Sequence, residues 1–132
     1  MPTTTARLTF NPTEFTGAGA VTASTTLRKA GSATGIDQFT GISRVYKNTA
    51  TNDISIAAAG DYADAQAGKI YIKNTTDTNL SSYLLVEVGS DVIVGRLYPN
   101  DWTFFPYDGT EDIKVSTSAD NMYYEFAIFR EG

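Results

Sequence analysis

Cysteine and histidine are both absent from this 132-residue chain. Without cysteine there is no disulfide staple, no thiolate metal site and no thiol nucleophile, and the chain is indifferent to the redox state of its compartment. Without histidine the commonest general base and the commonest metal ligand are missing. Ser-His-Asp and Cys-His arrangements and imidazole-ligated zinc, copper or haem are therefore excluded. Positive charge is scarce as well: ten Lys and Arg, scattered along the chain, stand against fifteen Asp and Glu, for a formal charge of −5 and a pI near 4.5. A nucleic-acid partner calls for the reverse, a basic stripe that displaces counterions from phosphates. No apolar run approaches the roughly 18–20 residues of a membrane span. Met1-Pro2-Thr3-Thr4-Thr5 has neither the basic nor the apolar segment of a secretion signal. Neither nucleic acid nor a membrane is expected as a partner.

What the chain does have is apolar and aromatic mass. Hydrophobic residues make up 42%, with eight Tyr, seven Phe and one Trp, enough for one core of the commonest domain size. Its distribution divides the chain. Residues 1–35 are rich in Thr, Ala, Gly and Ser, with only Phe10 and Phe15 as aromatics. Such a stretch buries too little to offset an ordering entropy of about 1–2 kcal/mol per residue by itself, so it is either mobile or ordered by lying on something else. Ala6-Arg7-Leu8-Thr9-Phe10 reads as a strand stopped by Asn11-Pro12. Residues 1–35 are therefore read as an extended N-terminal arm and residues 36–132 as the folded domain.

From Ile36 onward the apolar residues alternate. One or two strands, interrupted near Gly41, precede Asn52-Asp53 and the short run Ile54-Ser55-Ile56. The stretch from Ala57 to Gly68 lacks a sustained 3.6-residue repeat and reads as a loop. Five apolar runs follow: Lys69–Asn74, Tyr83–Val88, Val92–Leu97, Trp102–Tyr107 and, after Ile113–Ser116, Met122–Phe129. Period two puts Ile70 with Ile72 on one face, and Tyr124, Phe126 and Ile128 on one face of the last strand. Gly89-Ser90-Asp91 between two apolar runs is a tight hairpin signal. About eight strands at a spacing of about 8–12 residues, without a convincing helix, predict an all-β fold. The expected architecture is an antiparallel β-sandwich, jelly-roll-like, although the sequence does not separate a jelly roll from another Greek-key sandwich.

Carboxylates are the only catalytic candidates left. Asp61 with Asp64, and Asp108 with Glu111 and Asp112, share loops. A glycosidase needs two carboxyls about 5–10 Å apart across a cleft, whereas acids between Gly and Thr ordinarily cap their own turns. No loop has the acidic spacing of an EF-hand. Gly17-Ala18-Gly19 lacks the Lys and the strand-to-helix setting of a phosphate loop. No catalytic residue, metal or cofactor is expected. Trp102 and Phe104 are expected to fill the interior, which leaves Phe105, Tyr107 and Tyr123, of opposite phase, pointing outward for contact with protein or sugar.

Lys69-Ile70-Tyr71-Ile72-Lys73-Asn74-Thr75, Val94-Gly95-Arg96-Leu97 and Asp101-Trp102-Thr103-Phe104-Phe105-Pro106 together resemble small β-rich virion proteins of tailed phages, especially cyanobacterial and other marine phages. In that group a strand ending in Lys-Asn-Thr is followed by an Ile-Gly-Arg-Leu-like strand and a Gly-Asp-Trp-like turn; here Val94 replaces Ile and Asn100 stands where Gly is usual. The resemblance covers about the C-terminal half. It implies a capsid decoration or cement protein: non-enzymatic, located on the virion's capsid surface, homotrimeric, with the major capsid protein as partner. On that reading Arg7, Phe10 and Phe15 of the arm are the expected capsid contacts, and Phe105, Tyr107 and Tyr123 the expected contacts between copies. The alternative is a tail-fibre or receptor-binding module that holds host glycan with exposed Tyr and Trp and loop carboxylates. A fibre module is expected to be one piece of a longer chain, whereas a cement protein is expected to be complete at this length, with Met1 opening it. A free-standing enzyme is disfavoured by the missing His and Cys.

Overall fold

The computed structural model describes residues 3–11, 19, 21–49, 55–60, 66–90, 92–107 and 109–131. Among them eleven strands form: β1 (Thr5–Phe10), β2 (Val21–Thr26), β3 (Gln38–Phe39), β4 (Ser43–Lys47), β5 (Ser55–Ala57), β6 (Lys69–Asn74), β7 (Leu84–Val88), β8 (Val92–Leu97), β9 (Trp102–Pro106), β10 (Ile113–Thr117) and β11 (Met122–Arg130). The protein is all-β, and every ladder among the named strands is antiparallel. β1 and β2 pair only with each other, and β5-β10-β7-β8 form a four-stranded sheet. β3-β11-β6-β9 form the third sheet, with β4 beside β3 on the same edge of β11.

The pairing is nested. β7 pairs with β8, β6 with β9, β5 with β10 and β4 with β11, so each strand meets its counterpart from the far end of the run. Two cross-pairings, β10 with β7 and β11 with β6, assemble the four pairs into two sheets. Period-two alternation then divides each strand. On β6 the pattern is strict, with Ile70, Ile72 and Asn74 fully buried and Lys69, Tyr71 and Lys73 half-buried. β10 buries Ile113, Val115 and Thr117 in the same way. Ile70, Ile72, Tyr124 and Ile128 from one sheet join Leu84, Val86, Ile113 and Val115 from the other in one apolar cluster. Each such side chain contributes about 1.5–3 kcal/mol through burial, so this cluster dominates the stability of the body.

The three stretches that carry the resemblance meet at one buried residue, Asn74, through its side chain and its backbone. Its Nδ2 donates to the Leu97 carbonyl at 2.8 Å, and its Oδ1 accepts from the Thr76 amide at 3.0 Å. Its backbone amide donates to Asp101 O, and its carbonyl accepts from Asn100 N. Asn100 adopts φ 70°, a left-handed conformation that asparagine tolerates better than other non-glycine residues. Thr76 adds a second tie, its hydroxyl donating to Tyr123 O and accepting from Tyr123 N. Among the described residues no buried side-chain nitrogen or oxygen lacks a partner.

The expected strands agree closely with those observed from β6 onward, and Gly41, with φ 79°, divides β3 from β4 where an interruption was expected. Three expectations are corrected. The N-terminal stretch contains two strands, with Phe10 opposite Val21 and Thr5 opposite Thr26. It doubles back as a hairpin, because the Thr-rich segment Val21–Thr26 supplies β-branched residues that suit a strand. Phe105, expected outside, packs against the core, while Trp102 and Phe104, expected inside, lie on the opposite face. The reason is register: Phe105 stands across from fully buried Ile70 and Phe104 across from Tyr71, and directly opposed residues share a face. Tyr107 is also turned in, only 7% exposed. The chain after Pro106 passes so close over Gly68 that a Cβ there would lie 2.6 Å from the Tyr107 carbonyl, and the Tyr107 hydroxyl reaches Glu111 O at 3.1 Å. Phe15, Asp61, Asp64 and Asp108 lie outside the described residues.

Candidate functional site

The outward phase of the five-stranded sheet is as aromatic as its core phase. Cross-strand register arranges it in rows. Arg44, Glu125, Lys73 and Trp102 form one row across β4, β11, β6 and β9. Ala127, Tyr71 and Phe104 form the next, and Phe39, Phe129, Lys69 and Pro106 a third. Phe39 stacks on Phe129 with centroids 4.6 Å apart and planes 15° apart, and Phe104 meets Phe129 edge-on at 6.3 Å. Trp102 remains 50% exposed at the free edge strand β9.

The N-terminal hairpin overhangs this face. Between them lies a cleft of about 680 Å³, roofed by β1 and β2 and floored by the aromatic rows. The hairpin lines it mostly with small residues, Thr4, Thr5, Ala6, Ala23, Ser24 and Thr25, beside Leu8 and Arg7. Small roof residues leave the cleft unfilled. The hairpin is anchored at its base, where Leu27 and Ile36 are buried, Leu27 N donates to Thr4 O, and Lys29 pairs with Asp37 at 2.7 Å.

One polar group on this face is held firmly. The Tyr71 hydroxyl donates to Glu125 Oε1 at 2.8 Å, and Arg44 Nε lies 3.5 Å from Glu125 Oε2. Burial, then the hydrogen bond to Glu125 and its negative charge, push the Tyr71 phenol up to about 12. The phenol therefore stays neutral and keeps donating throughout the physiological range.

A second exposed apolar feature lies away from the cleft. β8 is the free edge of the four-stranded sheet, and Val92, Ile93 and Val94 are 64%, 59% and 52% exposed. A register shift opposite Val86 and Glu87 places one extra residue in β8 there. The other free edges are blunted: β5 has three residues and an irregular ladder, β9 ends in Pro106, and β3 and β4 are short pieces. β8 has six residues and no proline.

Of the residues singled out in the sequence, Arg7, Phe10 and Tyr123 are exposed. Tyr123 packs its ring against Tyr46 at 5.1 Å, and the Tyr46 hydroxyl donates to Asn121 Oδ1. The structure does not bring Tyr123 together with Phe105 and Tyr107, which face the interior. Asp112 serves its loop by accepting from Ala59 N at 2.6 Å. Among the described residues no three acidic side chains gather in one place. The cleft itself was not legible, since it depends on a hairpin and a sheet face that meet only in space; the polar phase Lys69, Tyr71, Lys73 was the one local signal of an outward face. Comparison with protein-family models, curated proteins and solved structures finds no match to this chain.

Proposed function

We propose that this protein is a non-enzymatic adhesive component of a virion, a capsid decoration or cement protein of the tailed-phage type. It binds the major capsid protein on the outer surface of the expanded shell, as a homotrimer, and stabilises that shell against the pressure of packaged DNA. One observation carries the adhesive part: apolar surface is open in two separate places, the cleft under the hairpin and the β8 edge. Contiguous exposed apolar surface marks contact sites, and a clamp requires two, one toward its own copies and one toward the shell. In this reading Arg7 and Phe10 of the hairpin engage the capsid, together with Phe15. The β8 edge at Val92, Ile93 and Val94, together with exposed Tyr123, contacts neighbouring copies, with Phe105 and Tyr107 supporting the sheet from within. The resemblance at Lys69–Thr75, Val94–Leu97 and Asp101–Pro106 supplies the choice of a virion.

The body in this reading is a β-sandwich of jelly-roll type. The nested pairing of β4 with β11, β5 with β10, β6 with β9 and β7 with β8 supports it, since rolling one long hairpin of four strand pairs gives that strand order. The mechanism is differential affinity: a protein that binds only the expanded lattice stabilises that state, and threefold repetition multiplies modest contacts through effective concentration. Added to expanded, undecorated capsids, the protein saturates at a fixed ratio and raises the temperature of DNA release. Equal binding to unexpanded procapsids overturns the clamp.

A second reading, a tail-fibre or receptor-binding module, is favoured by the half-exposed Trp102 in one row with Lys73, Glu125 and Arg44. A stacking ring beside hydrogen-bonding groups suits glycan. A glycan array without hits at high protein concentration removes this reading and leaves the first intact.

A further inference from the structure

We propose that the cleft between the N-terminal hairpin and the aromatic sheet face binds an acidic saccharide, a pyranose bearing a carboxylate or sulfate; the proposal rests on the glycan reading above and gives it a site and a ligand class. The first observation is charge. The chain has fifteen acids and ten bases, yet among the described residues the cleft is lined by Arg7 and Lys73 and by no Asp or Glu. Glu125 borders the cleft, but Arg44 balances its charge, so in a protein of net charge −5 the local excess of Lys73 and Arg7 favours an anion.

The second observation is shape. Tyr71 and Phe104 are direct cross-strand neighbours, and Trp102 lies on the same face of β9 as Phe104. Side chains on a sheet face form a broad platform, which matches the C–H face of a sugar ring, whereas an alkyl chain is better enclosed by a tunnel. A volume of about 680 Å³ fits one to a few rings and lies within the roughly 300–1,000 Å³ of small-molecule sites. The third observation is the neighbouring polar row. Glu125, fixed by Tyr71 and Arg44, offers acceptors, and Lys73 and Arg44 offer donors, so hydroxyls at the ring's edge find both kinds of partner.

Trp102 is the only tryptophan in the chain, so its fluorescence reports on this cleft directly. The full-length protein is titrated with tetragalacturonate, with neutral maltotetraose and with decanoate. Tetragalacturonate is expected to give a saturable blue shift that weakens with added salt, with at least tenfold lower affinity in Lys73→Glu and in Arg7→Glu, and maltotetraose is expected to give none. The Arg7 change lies on the exposed hairpin and leaves the body intact, and circular dichroism checks both variants. An equal response to maltotetraose, a response to decanoate alone, or unchanged affinity in both variants overturns the proposal. Calorimetric binding of tetragalacturonate with a silent Trp102 overturns this site but keeps the glycan reading; no binding of any sugar here or on an array overturns both.

Discussion

The two faces of the five-stranded sheet are built from similar residues and serve opposite ends. The inner face presents Ile70, Ile72, Phe105, Tyr124 and Ile128 to the apolar cluster shared with the other sheet. The outer face presents Tyr71, Phe104, Phe129 and Trp102 to a cleft. Aromatic content does not distinguish them. The partner does: the inner face meets a second sheet, while the outer face meets a hairpin whose side chains are too small to fill the space. A face of this composition that stays open is available for binding, at the cost of apolar surface left in water.

The sharpest way to test that contrast is to truncate one apolar side chain on each side to alanine. Ile72→Ala, on the inner face, is expected to cost about 2–5 kcal/mol, since a fully buried branched side chain is replaced by a cavity; urea denaturation measures it. Asn74→Ala strands the Leu97 carbonyl and the Thr76 amide, and a loss of about 2–4 kcal/mol follows from two unsatisfied buried groups. Alkaline titration probes one tyrosine of each face, which a variant then tells apart. The Tyr124 phenol, buried in the core, is pushed up to about 12 by desolvation, and Tyr71 reaches about 12 with help from Glu125. Because both folded values lie above the ordinary 10, the associated stability is complete below pH 10 and is lost as pH rises toward 12. Ultraviolet titration should show late-ionising tyrosines, and Tyr71→Phe should remove one of them.

Trp102→Ala, on the outer face, is expected to change stability by about 1 kcal/mol or less, because half of the ring is already in water. A loss as large as that of Ile72→Ala would erase the contrast. The smallest effect belongs to a loop tie outside both faces. Asp120 accepts from Thr49 N at 2.9 Å and from Thr49 Oγ1 at 2.8 Å, which holds its carboxyl below the ordinary 3.8. The tie is therefore present above pH 3.8 and released as pH falls through the lower folded value. Carboxyl chemical shifts in wild type and in a Thr49→Ala variant should differ in midpoint in that direction.

The sequence was most informative where one phase of a strand was apolar and the other was not. β6 and β10 were legible in position and orientation, because Ile alternating with Lys, or Ile and Val with Lys and Ser, leaves one choice of inner face. β11 was legible for the same reason along Tyr124, Phe126 and Ile128. β2 was missed because its Thr and Ser mark no apolar phase, and its pairing with β1 spans a break that local pattern does not bridge. Tyr123, expected on an outward phase, is exposed, but of the described residues singled out in the sequence as contacts only Arg7 lines the cleft. The floor of the cleft was not anticipated, since Trp102 and Phe104 looked like core.

By itself the sequence determined a Cys- and His-free, acidic, all-β chain, the positions of most strands after residue 68, and which residues of each strand share a side. The tertiary structure decided which side faces inward wherever both were apolar, as in Trp102–Phe105, and it alone set the hairpin above the aromatic rows. The physical reason is that alternation is a property of one strand, whereas inside and outside are properties of its pairing: Phe105 packs on the core because Ile70 stands opposite it, and Trp102 is open because Lys73 does.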